Sequence, residues 1–217
     1  MNGVAHVVAS DSGELSVKHA RAVGWLDVGG REAALVQRCA ARDEDACADL
    51  VAEYQRMVVQ LAINLLGDRE EALDLSQEVF LRVFRTIHRF RGQSSLRTWI
   101  YRIAVNQARN RHRFWRRRHR ADQVSLDQHV AAHGQCFSCG GLAPDRVLAQ
   151  KELAARLQRA LDHLPFDQRT AVILREIDGL SYEEIGYSLG LAIGTVKSRL
   201  TRARQALRLE LRGERIL

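Results

Sequence analysis

The feature that most constrains this chain is where its apolar residues fall. They recur at spacings of three and four in two long blocks, and one unpatterned stretch divides the blocks. In the first block Leu50, Tyr54, Val58, Leu61 and Leu65 lie on one helical stripe. Ala72, Leu75, Val79 and Val83 form another, with Phe80, Phe84 and Ile87 beside them. Leu96, Ile100, Ile103 and Ala104 share a third face. Side chains so spaced meet on one side of a 3.6-residue helix, and no useful run shows the alternation of a strand. The second block carries Leu148, Leu153, Leu157, Leu161 and Leu164, then Ala171, Ile173, Leu174 and Ile177, and finally Val196, Leu200, Ala203 and Leu207. Between the blocks, residues 121–147 hold Gly134, Gly140, Gly141 and Pro144 without an apolar period, the pattern of a linker. The expected fold is all-α, with two small helical domains joined by a flexible linker.

Helix boundaries follow from local chemistry. Asp43, Glu44 and Asp45 form an acidic helix start, and Gly67-Asp68 ends the helix that follows. Ser94 or Ser95 is placed to cap the helix that begins after Phe90-Arg91-Gly92. Ser181 with Glu184 three residues later spells a capping box, and Gly190 supplies the turn after it. Residues 1–30 are weakly patterned and read as a mobile leader.

Charge is distributed as unevenly as hydropathy. From Arg82 to Arg120 there are 13 Arg with no Lys and no acidic residue, whereas the residues before this block carry 7 basic and 14 acidic side chains. Phe84, Phe90, Trp99, Tyr101, Phe114 and Trp115 are interleaved with the arginines, as are Asn106, Gln107 and Asn110. Concentrated Arg neutralises phosphate, and flat side chains among it can stack on unpaired bases. A merely solvated face usually mixes both signs of charge. On the helix wheel Trp99, Asn106 and Asn110 cluster beside the apolar face. Ser181 to Leu209 reads as a helix-turn-helix, with Lys197, Ser198, Thr201, Arg202 and Gln205 opposite the apolar arc of its second helix. Such a helix enters the major groove, where Lys, Arg and Ser can read base edges. One block therefore suits unpaired strand and the other suits duplex, a combination fitted to promoter opening.

Two motif sets then resemble the extracytoplasmic-function (ECF) sigma factors of bacterial RNA polymerase. The first is Asp74-Leu75-Ser76-Gln77-Glu78-Val79-Phe80, Phe90-Arg91-Gly92 and Thr98-Trp99-Ile100-Tyr101-Arg102-Ile103-Ala104-Val105-Asn106. The second is Leu164-Pro165, Leu174-Arg175-Glu176, Gly179-Leu180-Ser181-Tyr182-Glu183-Glu184-Ile185, Gly194-Thr195-Val196-Lys197-Ser198-Arg199-Leu200 and Arg202-Ala203-Arg204. The resemblance implies a σ2-like domain over 31–120, the linker over 121–147, and a σ4-like helix-turn-helix domain over 148–217. It implies core polymerase binding by Asp74, Leu75, Gln77, Glu78 and Phe80. Near Asn106, with Asn110, Arg109 and Arg113 flanking the strand and Trp99 walling the pocket, it implies capture of a −10 base. It implies −35 reading through Lys197, Ser198, Arg199, Thr201, Arg202 and Arg204, with phosphate contacts suiting Arg199 and Arg204. The implied partners are RNA polymerase core, promoter DNA and an anti-sigma factor. Gly186 and Ala192 depart from the family's usual Ala and Pro, which is expected to loosen local geometry slightly.

Enzyme activity is not expected, because no nucleophile-base pair, phosphate loop or carboxylate pair stands out. The rival readings are a stand-alone helix-turn-helix regulator, which leaves the basic block and the acidic helix before it without a purpose, and an RNA-binding protein using the same basic block. No cofactor is expected. Within the linker, His129, His133, Cys136 and Cys139 are the residues that could make a zinc site, or the CxxC thiols could switch by oxidation. The absence of a long apolar run and of a secretory leader points to the cytoplasm.

Overall fold

The computed structural model describes residues 30–121 and 144–213, and every regular element among them is helical. The first unit comprises α1 (Gly30–Ala40), α2 (Glu44–Leu66), α3 (Arg69–Thr86), a short 3-10 turn (Ile87–Arg89) and α4 (Leu96–Ala121). The second comprises α5 (Pro144–Asp162), α6 (Phe166–Val172) with a π-helical continuation (Ile173–Ile177), α7 (Tyr182–Leu189) and α8 (Ile193–Gly213). The leader up to residue 29 and the linker's CxxC and histidines lie outside the described residues.

Local chemistry sets the starts and stops. Asp43 and Asp68 accept backbone N–H bonds from Ala46 (3.0 Å) and Glu71 (2.8 Å), so each satisfies an orphan donor of the helix it begins. Gly67 closes α2 at φ 77°, a left-handed conformation that glycine adopts without a Cβ penalty. Ser95 caps α4 through Thr98 N–H at 3.1 Å. The Ser181–Glu184 capping box is complete, and Gly190 ends α7 at φ 66°.

The stripe from Leu50 to Leu65 is buried, as are Leu75, Val79, Phe80 and Val83 of α3 and Leu96, Ile100 and Tyr101 of α4. Val196, Leu200 and Ala203 bury the inner face of α8. Two expectations from periodicity fail. Leu153 and Leu157 are 62% and 40% exposed, because the described side chains of α5 enter the core at the C-terminal end, through Ala160 and Leu161, with Leu164 following just beyond the helix. Ile177 is 48% exposed, because the π turn pairs Asp178 N–H with the Ile173 carbonyl and rotates Ile177 off the apolar arc. The helix of the second unit also starts at Pro144, inside the stretch read as linker.

The two units pack against each other. α4 lies on α7 and touches α6, and residues of both units share one buried cluster. Thr98 Oγ1 donates to Glu184 at 3.1 Å, Ser188 donates to the Thr98 carbonyl at 3.4 Å, and the guanidinium of Arg102 lies 5.0 Å from the Tyr187 ring centroid. At the other end Arg169, nearly buried, donates to the Leu65 carbonyl at 3.0 Å while pairing with Asp162 at 3.0 Å. His112 of α4 stacks on Phe166 at 4.9 Å, and burial with the nearby Arg169 and Arg116 charges holds its imidazole below the ordinary pKa.

Candidate nucleic-acid and polymerase interface

Helix α4 sorts the basic block by depth. Its apolar face faces the core, so Asn106, Asn110 and Arg113 are left exposed along the opposite side. Trp99 is half-buried, its ring 5.5 Å from that of Phe90 and tilted against it, so the Phe90-Arg91-Gly92 bend supports the indole at the edge of that row. Phe114 is 51% exposed farther along the helix. Tyr101, counted among the stacking aromatics by its position in the block, is instead fully buried and packs within the core. Burial raises its phenol pKa to about 12.

The remaining basic residues divide between solvent and internal pairs. Arg111 joins α4 to α3 by contacting Glu71 at 2.7 Å and Glu78 at 2.5 Å. Arg109, placed among the −10 residues, reaches Asp167 of α6 at 3.5 Å. Asp167 also receives Arg199 of α8 at 3.1 Å. One carboxylate thus gathers an arginine from each unit.

On α8, Lys197, Ser198, Thr201 and Arg202 are exposed, while Arg199 and Arg204 sit half-buried at the margins. Arg204 pairs with Glu176 at 2.6 Å, and together with Arg199 it braces α8 against α6 and its π-helical continuation. A Cβ on Gly186 would lie 2.9 Å from the Leu191 carbonyl, whose N–H in turn donates to the Gly186 carbonyl at 2.8 Å. The departure at Gly186 therefore permits a tighter turn, correcting the expectation of a looser one. Ala192 receives the first N–H bonds of α8, from Thr195 at 2.9 Å and Val196 at 3.1 Å, and its methyl offers no capping acceptor.

Helix α3 holds the residues expected to meet polymerase. Asp74, Gln77 and Glu78 are exposed, whereas Leu75 and Phe80 lie inside the domain's own core, at 1% and 7% exposure. Their contribution is to set the helix from below; they present no outer surface. Leu73 and Leu81, 38% and 55% exposed, stand two turns apart on the outer face with Gln77 between them. Spacing alone hides them, because each falls just off the α3 stripe and reads as an ordinary boundary leucine.

One all-helical unit with a polar, basic row on α4, and a second with a helix-turn-helix whose outer face is polar and basic, define a DNA-binding protein of two modules. Comparison with known proteins agrees in both. Residues 50–120 match the family model of sigma-70 region 2, and residues 154–207 match that of sigma-70 region 4. The chain is 36% identical over 173 residues to the RNA polymerase sigma-H factor of Pseudomonas aeruginosa, spanning 80% of this chain and 90% of that one. It is 37% identical over 178 residues to the ECF RNA polymerase sigma-E factor of Escherichia coli K12, with the same coverage. The sigma factor RpoE of Bartonella quintana, solved in complex with the anti-sigma factor NepR, superposes with a TM-score of 0.61 at 28% identity, covering 76% of this chain and 96% of that one. CnrH, solved with the cytosolic domain of CnrY, shares the fold at a TM-score of 0.62 and 22% identity, with 84% and 97% covered. The chain belongs to the ECF sigma factors: it is a promoter-recognising transcription initiation factor and not an enzyme. No described helix is long and apolar enough to cross a membrane.

Proposed function

We propose that α4 captures an unpaired −10 base beside Asn106, with Trp99 walling the site and Asn110, Arg109 and Arg113 along the strand. The observation that carries this reading is the exposed Asn106–Asn110–Arg113 row on a helix whose other face is committed to the core. Amides offer both a donor and an acceptor, so Asn106 can pair with the Watson–Crick edge that a base exposes once it leaves the stack. Arg109 must leave Asp167 to join them, and that exchange ties strand binding to separation of the units.

In this reading Lys197, Ser198, Thr201 and Arg202 enter the major groove of the −35 element. Arg199 and Arg204 contact phosphate once they release Asp167 and Glu176. Polymerase core docks on the outer face of α3, through Asp74, Gln77 and Glu78 with Leu73 and Leu81 as the apolar anchors. The packed arrangement of the two units is the form of the chain apart from polymerase. An anti-sigma factor, the partner with which the Bartonella neighbour was solved, would hold the present chain out of polymerase as well. Acting with RNA polymerase on promoter DNA, the protein works in the cytoplasm in this reading. No cofactor takes part in these steps, and zinc in the linker remains tied to His129, His133, Cys136 and Cys139, outside the described residues.

The test is transcription in vitro with purified core and promoter templates, comparing the wild-type chain with Asn106→Ala. Lost open-complex formation with unchanged core binding supports the assignment; equal loss of both overturns it.

A further inference from the structure

Cys39 and Cys47 play no part in the contacts just described, yet the fold brings them together. Cys39 ends the last turn of α1 and is 4% exposed; Cys47 lies on the first turns of α2 and is half-buried. The corner between them is tightly tied. Arg42 adopts a left-handed backbone at φ 63°, its N–H donates to the Cys39 carbonyl at 3.0 Å, and Asp43 N–H donates to the Arg38 carbonyl at 3.1 Å. Asp43 then accepts from Arg38 Nε at 2.7 Å and from Ala46 N–H at 3.0 Å. This clamp sets Cys39 in the buried core and packs Cys47, on the facing first turns of α2, against that same core; Cys47 is among the groups that act on the Cys39 thiol, and both thiols are free.

We propose that Cys39 and Cys47 are a peroxide-oxidisable dithiol that closes to a disulfide across the α1–α2 corner. The half-exposed Cys47 meets the oxidant. Its thiolate sulfur attacks one oxygen of hydrogen peroxide, the O–O bond breaks, and hydroxide leaves as water after taking a proton. Cys47 is then a sulfenic acid. The Cys39 sulfur attacks the Cys47 sulfur, the S–S bond forms, the S–O bond breaks, and the departing hydroxide takes the Cys39 proton as a second water. Two thiols have lost two electrons and one peroxide has gained them. The order is fixed by the surroundings: burial raises the Cys39 pKa, so that thiol stays protonated and shielded until Cys47 presents an electrophilic sulfur beside it. The bond would fasten α1, whose Glu32 accepts the first N–H of α4, from Leu96, at 3.0 Å.

The experiment uses the full chain carrying Cys136→Ser and Cys139→Ser, so that only this pair can react. After hydrogen peroxide and N-ethylmaleimide, trypsin cuts after Arg38, Arg42 and Arg56 and leaves the two cysteines on separate peptides. The expected product is one disulfide-linked pair of those peptides, lost on treatment with dithiothreitol. With Cys39→Ser added, Cys47 should halt at the sulfenic acid and react with dimedone; with Cys47→Ser added, Cys39 should stay a thiol. Free thiols at both positions after peroxide, or Cys47 advancing to the sulfinic acid while Cys39 remains reduced, would overturn the proposal. The parent chain alone decides between these outcomes should either added serine prevent folding.

Discussion

Arg97 of α4 reaches across to the second unit and donates to the backbone carbonyl of Asp178 at 3.2 Å. The same guanidinium donates to the Tyr101 hydroxyl at 3.3 Å, so one side chain joins the core of the first unit to the loop before the helix-turn-helix. Asp178 is covered in consequence. Its carboxyl pKa is raised from 3.8 to about 6 by burial, against the opposing effects of a Tyr101 hydrogen bond and the Arg97 charge. One carboxyl oxygen, Oδ2, has no partner.

That geometry gives the packed form a pH dependence of definite sign. A carboxyl whose pKa is higher in the folded state binds its proton more tightly there, so stability is greatest below the ordinary value and falls as pH rises toward 6. Holding that proton in the folded state contributes at most roughly 3 kcal/mol. The expected result is a melting temperature that declines between pH 4 and 6 in the wild-type chain and declines less in Asp178→Asn. Parallel pH profiles for the two proteins would show that the buried carboxyl does not govern this window.

The Thr98–Glu184 bond can be removed without touching the cap of α7. Glu184 uses Oε2 for the Ser181 N–H at 2.8 Å and Oε1 for Thr98 at 3.1 Å. Thr98→Val keeps the shape and deletes the hydroxyl, which should weaken the contact between units by about 1 kcal/mol. Ser181→Ala should instead cost about 1 kcal/mol within the helix-turn-helix itself. Hydrogen exchange separates the two: the first variant should speed exchange along the α4–α7 contact, the second at the start of α7.

How much of this was legible beforehand depends on whether the cause is local. The Leu50–Leu65 stripe and the Ser181–Glu184 box depend on residues three or four apart, and both appear in the fold as read. Glu32 capping Leu96 spans 64 residues, and no local pattern announces it. Tyr101 sits in the basic block and yet belongs to the core, because helix phase, not neighbouring charge, decides which side of α4 it occupies. Leu153 and Leu157 keep perfect spacing and yet stay largely at the surface, since periodicity shows which face is apolar without showing how far the partner extends. The candidate DNA residues were named from the sequence, whereas the pairing of Arg109 and Arg199 on Asp167 required the tertiary contact.

Arg169 offers a test of the second junction. It is 7% exposed, donates to the Leu65 carbonyl of α2 and pairs with Asp162, while its Nε has no partner. Arg169→Ala would leave a buried carbonyl unmet and open a cavity, for an expected loss of about 2–4 kcal/mol. Arg169→Lys retains the charge but lacks the forked geometry needed for both partners, so it should recover only part of the loss. Urea unfolding measures both; full stability in the lysine variant would mean that charge alone suffices here.

The polymerase face of α3 makes the most discriminating prediction. Leu73 and Leu81 are exposed, so Leu73→Asp and Leu81→Asp should leave the melting temperature almost unchanged, within about 0.5 kcal/mol. If these leucines enter an apolar surface on core polymerase, each aspartate would have to be desolvated there, and affinity should fall by at least about tenfold. Leu75→Ala, by contrast, removes a side chain 1% exposed and should cost about 2–5 kcal/mol of folding stability. Its effect on polymerase binding should then follow from the unfolded fraction alone. Binding of purified core to each variant, measured beside its unfolding curve, distinguishes an anchor from a support. Normal affinity in both aspartate variants would remove the outer leucines from the interface and leave Asp74, Gln77 and Glu78 to carry it.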